Sequence, residues 1–427
     1  MKNTTLLKQE ISEGKYGKRF LELYSDSSVA SNQVMRYIDA IESFEKLYGE
    51  DDVTIFSAPG RSEIGGNHTD HQQGEVLAAS INLDAIGIIA KTDDNLVRIV
   101  SEGYEEIAID SADLSKKAAE EGTTAALIRG VLAGVNNRGF KVGGFKGYVT
   151  SDVLIGAGLS SSAAFEVLVG YIISSLYNDG AIDPVTVAMI GQYAENEYFG
   201  KPCGLMDQSA CSVGNMVHIN FADPASPVVE KIDYDMQSAG YSLCITDTKG
   251  SHANLTHEYA AIPQEMKAVA GFFGKEVLLG ITLKDLLDNS KAIRSKYGDR
   301  AFLRAIHLVC ENERVRREVA ALKANNFDEF LKQVQSSGNS SYKYLQNVYT
   351  SSDVTHQNVS VALAISDVVL GDGCGVSRVH GGGFAGTIQA FVRDFAVNNY
   401  KQTMDSLFGE GSCKVLKIRK EGGTIVM

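Results

Sequence analysis

The sequence has little of several residue types, and each shortage argues against a class of protein. Its 427 residues include no tryptophan, six prolines and six cysteines, and 40 Lys and Arg stand against 53 Asp and Glu. The net charge of −13 would repel a polyanion, so we expect no nucleic-acid partner. The cysteines form no Cys-x-x-Cys pair, which favours reduced thiols in a cytoplasmic protein over a disulfide framework or a zinc site.

Long hydrophobic runs are also missing. The N-terminus has no apolar signal-peptide core, and the most apolar helical segment contains Glu166 and is too short to span a bilayer, so we expect no membrane partner. The length predicts two domains. Because Asp223-Pro224-Ala225-Ser226-Pro227 holds two of the six prolines, we interpret it as a linker between domains at 1–223 and 224–427.

Hydrophobic periodicity predicts a mixture of helices and strands. Helices are expected within 1–50 and 300–347 and at 163–177, 184–199 and 360–370. Strands are expected at 53–56, 85–90, 96–100, 147–150, 241–246 and 388–392. The first strand should end at Ala58-Pro59-Gly60, and the next two should form a hairpin around Asp93-Asp94-Asn95. Because the elements do not alternate as a regular βα repeat, the sequence favours an α+β fold.

One segment combines glycines, three hydroxyls and the start of an apolar helix: Gly156-Ala157-Gly158-Leu159-Ser160-Ser161-Ser162-Ala163-Ala164. A glycine-rich turn that opens into a helix exposes unpaired backbone N–H groups at the positive end of the helix dipole, where phosphate binds. Hydroxyl oxygens also suit Mg²⁺. The segment lacks the lysine of a Walker A loop and the third glycine of a dinucleotide fingerprint. A tight turn closed by a serine cap is the alternative.

A polar cluster lies in residues 58–74, where Asn67, His68 and Asp70 fall within four positions. Side chains so close together can contact several hydroxyls of one polyol. Sugar binding needs this convergence because each buried, unpaired hydroxyl costs about 1–3 kcal/mol. The cluster therefore predicts a sugar site, and a surface loop of turn-forming residues is the alternative.

Acidic residues flank a helix break in residues 191–209. Glu195 lies on a predicted helix that breaks at Gly200-Lys201-Pro202, and Asp207 follows the break. A carboxylate beside the break could act as a general base, and one on the helix as a metal ligand. Ordinary surface acidic residues would give the same pattern.

Three consecutive glycines, Gly381–Gly383, follow His380 near the end of the chain. Glycine allows backbone to pass very close to a ligand or to another segment. A flexible hairpin fits poorly beside the apolar residues that follow, such as Ile388 and Phe391. For His380 itself, packing in the core is the favoured interpretation.

In their order along the chain, these segments resemble the GHMP small-molecule kinases, and most closely the galactokinases. That family carries a Gly-Arg-Val-Asn-Leu-Ile-Gly-Glu-His-Thr-Asp-Tyr run, which the chain matches at Gly60, Arg61, Gly66, His68, Thr69 and Asp70. Residues 158–163 match its Gly-Leu-Ser-Ser-Ser-Ala phosphate loop, and 202–208 match its central motif. Residues 381–386 resemble its third signature, and 252–259, from His252 to Tyr259, resemble its His…Ser-Glu-Tyr stretch.

The resemblance implies an N-terminal half like domain 2 of ribosomal protein S5, a ferredoxin-like C-terminal half and an active site in the cleft between them. It implies ATP- and Mg²⁺-dependent phosphorylation of galactose at the anomeric C1 hydroxyl. The protein's partners would be a small-molecule sugar and ATP, and we expect a monomer or a weak homo-oligomer.

The resemblance also assigns roles to matching positions. Asp207 would be the base beside Arg61, and Ser161 and Glu195 would hold Mg²⁺. The residues expected to bind the nucleotide phosphates are Gly156, Ala157, Gly158, Leu159, Ser160, Ser161, Ser162 and Ala163. Those expected to contact the sugar are Asn67, His68, Asp70, Gly204 and Tyr259.

Several positions depart from the galactokinase pattern. The family's glutamate before His-Thr-Asp is Asn67, its tyrosine after Asp is His71, its Val-Asn-Leu-Ile is 62–65 (Ser-Glu-Ile-Gly), and no arginine pair follows Tyr259. In galactokinases that glutamate accepts a hydrogen bond from the sugar's C6 hydroxyl. We therefore expect Asn67, whose amide also donates, to loosen discrimination at C6.

Two alternatives to galactose phosphorylation follow from the same residues. Because 70–72 also resembles plant galacturonokinases, galacturonate or another sugar altered at C6 is an alternative substrate. A catalytically silent sensor of sugar and ATP is a further alternative, although the phosphate loop and Asp207 are intact.

Overall fold

The computed structural model describes residues 1–153, 158–251, 255–371 and 373–427. Gly156, Ala157 and His252, which carry predictions above, lie outside these ranges. The strands of the described residues are β1 (Lys2–Asn3), β2 (Asp52–Gly65), β3 (Glu75–Lys91), β4 (Leu96–Ser101), β5 (Ile107–Asp110), β6 (Phe145–Ser151), β7 (Met216–Asn220), β8 (Val228–Ile232), β9 (Tyr241–Asp247), β10 (Gly375–Val379), β11 (Thr387–Arg393), β12 (Cys413–Leu416) and β13 (Thr424–Ile425).

The α-helices of the same ranges are α1 (Thr4–Ser12), α2 (Gly17–Tyr24), α3 (Ser27–Tyr48), α4 (Thr124–Asn136), α5 (Ser161–Asn178), α6 (Pro184–Tyr193), α7 (Met206–Val213), α8 (Thr256–Phe272), α9 (Leu283–Asp288), α10 (Ser290–Tyr297), α11 (Asp299–Lys323), α12 (Phe327–Ser340), α13 (Asn358–Leu370) and α14 (Val397–Phe408). Short 3₁₀ turns lie at Asp70–Gln72, Ala118–Glu120 and Asp394–Ala396, and π-helical turns at Ala194–Phe199 and Ser341–Leu345.

The first sheet is built on two long antiparallel strands, β2 and β3. Its order is β1-β2-β3-β6-β4-β5, and β13 pairs with β2 while β7 pairs with β3 and β8. Alternate residues point to opposite faces. Ile55 and Ile88 pack in the core under α1–α3, whereas Phe56 and Ile89 pack in the core with α4 and α5. Helices therefore cover both faces of this sheet.

The second sheet has four strands in the order β10-β11-β9-β12. On one face Leu243 and Phe391 share a core with Phe330 of α12. On the other face Ala390 packs with Tyr400 of α14. This sheet is thus also covered on both faces.

The second half of the chain returns to the first sheet. Strand β13 pairs with β2, Ile418 forms a bridge with Ile81, and α11 packs against β2 and β3. This packing brings α11, α12 and the β10–β11 connection against the end of β2, where the predicted sugar motif begins.

The predicted α+β class is confirmed. The helical interpretation of residues 1–50 is also confirmed, and α5, α6, α11, α12, α13, β6, β9 and β11 fall where the periodicity places them. Among the described residues, we find no helix with both the length and the apolar character needed to cross a bilayer.

Two predictions about strands are wrong. Strand β2 does not end near Pro59 but continues to Gly65. Its pairing with β3 shifts register between Pro59 and Arg61, and this shift accommodates Pro59, which has no N–H to donate to the neighbouring strand. Strands β3 and β4 do not form a hairpin, because β6 lies between them and pairs with both. Residues 223–227, predicted as an interdomain linker, join β7 to its antiparallel neighbour β8 in the first sheet.

Candidate active site

Arg61 and Asp207, the two predicted catalytic residues, form a two-point ion pair. Arg61 Nε lies 2.7 Å from Asp207 Oδ1, and Arg61 Nη2 lies 2.8 Å from Asp207 Oδ2. Arg61 lies on β2 just after the register shift, and Asp207 lies in the first turn of α7. The Asp207 side chain keeps 32% of its surface exposed, against 11% for Arg61, so the carboxylate is accessible from solvent.

Charge and burial act in opposite directions on this pair. Burial opposes ionisation of Asp207, but the charge and hydrogen bonds of Arg61, with a further bond from Ser160 Oγ, hold the pKa of Asp207 below its ordinary value. Burial likewise opposes the charge on Arg61, and Asp207 more than offsets this, so the pKa of Arg61 is raised. Both side chains are therefore charged at neutral pH.

The described part of the phosphate loop joins this ion pair to α5. Arg61 Nη1 donates to the Gly158 carbonyl, and Arg61 N donates to the Leu159 carbonyl at 3.1 Å. Ser160, in the left-handed conformation with φ of 56°, precedes α5 without capping it through its side chain. The serine-cap alternative is therefore wrong, because Ser160 Oγ donates to Asp207 instead. The first N–H groups of α5 are left without that partner at the positive end of the helix dipole.

Glu195 lies in the π-helical turn at 194–199 and is 3% exposed. Its Oε1 accepts from Lys201 Nζ at 2.9 Å, and its Oε2 accepts from Gln208 Nε2 at 3.0 Å. Gln208 Nε2 also donates to Glu166 Oε2 at 3.0 Å. Glu195 is thus bonded to Gln208, the residue that directly follows Asp207.

Glu166 lies next to the site, and no role was predicted for it from the sequence. Burial first, and then the charge of Glu195, raise the pKa of Glu166 to about 8, so this carboxyl is largely protonated at neutral pH. The signal in the sequence was an acidic residue inside an apolar helix. Such a residue must be buried with a partner, which here is Gln208.

The predicted sugar residues His68 and Asp70 lie in the turn that follows β2. His68 Nε2 donates to the Gly382 carbonyl at 3.0 Å, and burial, followed by the nearby His71, lowers the pKa of His68 to about 4. His68 is therefore neutral. Asp70 lies beside Gly204, where a Cβ would come within 3.3 Å of Asp70 Oδ2. Asp70 therefore lies close to the loop that leads into Asp207.

Tyr259, on α8, packs on the glycine-rich β10–β11 connection. Its hydroxyl donates to the Gly383 carbonyl at 2.7 Å, and its ring meets Phe384 edge-on at 5.4 Å. A Cβ on Gly382 would lie 2.8 Å from the Tyr259 ring, which explains the need for glycine there. The prediction that the backbone of the three glycines passes very close to another group is thus confirmed, and that group belongs to the protein itself.

Asn67, which was also predicted to contact the sugar, is placed differently from His68 and Asp70. Its side chain is fully buried, and both ends of its amide are bonded to protein groups. A fully bonded, buried amide presents no group to a sugar in this conformation. Asn67 therefore does not join His68 and Asp70 on the accessible surface of the site.

His380 is buried, and the favoured interpretation as a core residue is confirmed. The backbone N–H of Glu63 donates to His380 Nε2 at 3.3 Å, so the ring proton lies on Nδ1, which donates to Thr387 Oγ1 at 2.9 Å. Burial first, and then Arg61, lower the pKa of His380 to about 3. A neutral His380 thus ties the second sheet to β2 directly beside Arg61.

Comparison with known proteins assigns these features to one family. Residues 42–91 match the family model described as the galactokinase galactose-binding signature, and residues 125–215 match that of the GHMP kinases N-terminal domain. The galactokinase of Actinobacillus pleuropneumoniae serotype 5b is 30% identical over 366 residues, which cover 85% of this chain and 91% of that protein. The galactokinase of Clostridium tetani is 27% identical over 86% of this chain and 91% of its own length.

Solved structures with the same fold include sugar and mevalonate kinases. The Lactococcus lactis galactokinase complexed with galactose superposes with a TM-score of 0.73 at 23% identity, over 90% of this chain and 98% of that one. The Methanococcus jannaschii mevalonate kinase gives a TM-score of 0.59 at 14% identity, over 86% and 98%. At these identities the likeness establishes the fold.

Proposed function

Because the chain belongs to the galactokinase family, we propose that it transfers the γ-phosphoryl group of ATP to the anomeric C1 hydroxyl of galactose. The observation that carries the proposal is the ion pair of Arg61 and Asp207. On one side it is bonded to the phosphate loop at Gly158 and Ser160. On the other side Gly204, three residues before Asp207, lies close to Asp70, since a Cβ added to Gly204 would lie 3.3 Å from Asp70 Oδ2.

Asp207 would accept a hydrogen bond from the C1 hydroxyl and take up its proton. A carboxylate kept ionised by Arg61 is always ready to accept, but it is a weak base, so we expect it to orient the hydroxyl first and to receive the proton as the phosphoryl group transfers. The guanidinium of Arg61 would offset the negative charge that develops on the transferring group. The chemistry then depends mainly on position and electrostatics.

The ATP phosphates would lie at the N-terminus of α5. The N–H groups of the first helical residues have no side-chain cap there, and a polyphosphate supplies the acceptors that they lack. The residues proposed for this contact are those of the phosphate loop, Gly156 to Ala163. Of these, Gly158 to Ala163 lie within the described residues.

Ser161 and Glu195 are proposed to hold Mg²⁺. Among the described residues no cluster of three or more His, Cys, Asp or Glu is arranged to bind a metal by itself. Two protein oxygens nevertheless fit Mg²⁺, which commonly takes one or two protein ligands and completes its shell with phosphate oxygens and water. Lys201, which is bonded to Glu195 Oε1, would have to release that oxygen. When bound, the ion would neutralise charge on the phosphates.

His68, Asp70, Gly204 and Tyr259 remain the proposed sugar contacts. Because the Asn67 amide is fully engaged by protein groups, Asn67 gives no support to galacturonate as the substrate. Galactose remains the proposed substrate, and galacturonate remains the alternative through residues 70–72. The intact contacts between Ser160, Arg61 and Asp207 favour a catalyst over a silent sensor.

We propose two domains, one on each sheet, with the boundary moved to the segment between β8 and β9, since β8 belongs to the first sheet. The cytoplasm is the proposed compartment, in keeping with six free cysteines. A monomer or a weak homo-oligomer is the proposed state.

The test measures ADP release by wild type, Asp207→Asn and the exposed control Asp288→Asn with galactose and galacturonate. We expect wild type and the control to phosphorylate galactose. Asp207→Asn should lose about 10²–10⁴-fold in kcat while still binding galactose by calorimetry. Full turnover by Asp207→Asn would remove the base role. A wild type that turns over neither sugar, yet binds ATP in a sugar-dependent way, would point to the sensor.

A further inference from the structure

The side chain of Asn67 uses all of its ordinary hydrogen-bonding capacity inside the protein. Its Nδ2 donates to Glu63 Oε1 at 3.0 Å and to the Gly381 carbonyl at 2.7 Å. Its Oδ1 accepts from Asn347 Nδ2 at 2.8 Å and from Ser341 Oγ at 3.3 Å. An amide has two donor hydrogens and two acceptor lone pairs, so this set is complete.

The backbone around Asn67 is also held, and by a different element. His307 Nε2, on α11, donates to the Asn67 carbonyl at 3.0 Å, and the N–H of Gly66 donates to Glu311 Oε1 at 3.2 Å. His307 and Glu311 are themselves fully buried, so these partners cannot exchange easily with water. The turn is therefore anchored from both its backbone and its side chain.

The partners of Asn67 come from parts of the chain far away in sequence. Gly381 belongs to the β10–β11 connection, while Ser341 and Asn347 follow α12. Asn347 Nδ2 also lies 3.2 Å from the carbonyl of Gly382, to which His68 donates. The hydrogen bonds of Asn67 thus connect the turn that contains His68 and Asp70 to the second half of the chain.

We propose that Asn67 is a positioning residue that fixes the sugar-binding turn and makes no contact with the sugar's C6 group. The proposal deepens the proposed function and rests on it for the identity of the substrate. Loss of the amide displaces His68 and Asp70 together. It therefore weakens binding of the sugar whatever substituent C6 carries, whereas a direct contact would be sensitive to that substituent.

An amide suits this position better than a carboxylate does. Glu63 Oε1 accepts from both Asn67 and Arg378 Nη2, each at 3.0 Å, and the Gly381 carbonyl is a further acceptor. A carboxylate at residue 67 would face these two acceptors with no hydrogen to donate. The protein neighbours of residue 67 therefore explain by themselves why an amide is present there, and no contact with a ligand is needed to explain it.

The kinetic test compares galactose with 6-deoxygalactose, which differs only by the missing C6 oxygen. For Asn67→Ala we expect the KM of both sugars to rise by the same factor, about 10- to 100-fold, with kcat and the KM of ATP changed less than about threefold. Asn347→Ala, which removes one partner and leaves Asn67 in place, should act in the same direction. Asn398→Ala, an exposed asparagine on α14, is the matched control.

A KM change confined to galactose would overturn the proposal, because it would show that Asn67 contacts the C6 oxygen. Amide hydrogen exchange of residues 66–74 without ligand gives a readout that does not depend on turnover. Exchange there should rise about tenfold or more in Asn67→Ala and Asn347→Ala and stay unchanged in Asn398→Ala. Unchanged exchange in the first two variants would also overturn the proposal.

The two readouts separate this inference from the proposed function. If wild type phosphorylates neither sugar, the proposed function fails. The exchange measurement then decides the positioning role by itself, since it needs neither substrate nor turnover.

Discussion

Glu63 and Asn67 are in direct contact, with Asn67 Nδ2 3.0 Å from Glu63 Oε1. In the family's Val-Asn-Leu-Ile-Gly-Glu run, the same two positions carry Asn and Glu. This chain therefore holds the same pair of residue types in exchanged positions. Its carboxylate lies on β2, where Arg378 Nη2 reaches it at 3.0 Å, and its amide lies in the turn.

Asn67→Glu alone should strongly destabilise the fold. The substitution places a second buried carboxylate against Glu63, which is already paired with Arg378. We therefore expect a loss of about 3–5 kcal/mol in the free energy of unfolding. Adding Glu63→Asn restores one carboxylate and one amide and should recover most of this loss. Urea unfolding measures the two single variants, Asn67→Glu and Glu63→Asn, and the double variant. Strictly additive losses would contradict an energetic coupling between the two residues.

Arg61→Lys should change both the rate and its pH dependence. A lysine cannot form the two parallel bonds to Asp207, so the pKa of Asp207 should rise towards its ordinary value and the acidic limb of the kcat/KM profile should move to higher pH. We expect kcat to fall by about 10²–10³-fold. The control Arg98→Lys alters a remote surface pair with Asp94 and should have no effect. An acidic limb that stays in place would mean that Arg61 does not set the ionisation of Asp207.

The neighbouring serines Ser160 and Ser161 should act differently. Ser160 Oγ donates to Asp207, so Ser160→Ala should lower kcat about tenfold or more and shift the pH profile, with no change in Mg²⁺ dependence. Ser161→Ala should instead raise the Mg²⁺ concentration needed for half-maximal rate and leave the pH profile unchanged. Rates titrated with Mg²⁺ at several pH values separate the two, and each variant controls for the other. Identical behaviour would contradict the assigned roles.

The free energy of unfolding should decrease as the pH is lowered, because His307 is buried in its neutral form. Burial lowers its pKa from 6.5 to about 4, so the unfolded chain binds a proton that the folded chain does not. The contribution of His307 is fully present above pH 6.5 and is lost as the pH falls towards 4, by roughly 2 kcal/mol at pH 5.

Urea unfolding at pH 7 and pH 5 measures this loss. His307→Gln retains a donor for the Asn67 carbonyl and removes the titration, so its free energy of unfolding should vary less between the two pH values. His356→Gln, whose side chain is 79% exposed, should behave as wild type. Equal pH dependence in all three proteins would exclude His307 as a source of the loss.

The helices and several strands could be predicted because their signals are local. Apolar residues at helical spacing identify α5 within one or two residues of its observed ends, and a short, mostly apolar run identifies β9. The pairing of strands could not be predicted in this way. The passage of β2 through Pro59 and the insertion of β6 between β3 and β4 depend on register with distant strands.

The placement of Arg61 beside Asp207 was predicted through the resemblance, because both residues lie in motifs that match the family's. The burial of Asn67 could not be predicted, because it depends on Asn347, which lies 280 positions further along the chain. A comparison of motifs position by position also treats Glu63 and Asn67 as two separate departures, although the structure shows that they form one contact.

The most direct test of the account is a crystal structure with galactose and a non-hydrolysable ATP analogue. We predict the C1 hydroxyl within about 3.2 Å of the Asp207 carboxylate and the terminal phosphate between Arg61 and the start of α5. A sugar bound with C1 turned away from Asp207, or a nucleotide bound away from residues 158–163, would contradict the central claim.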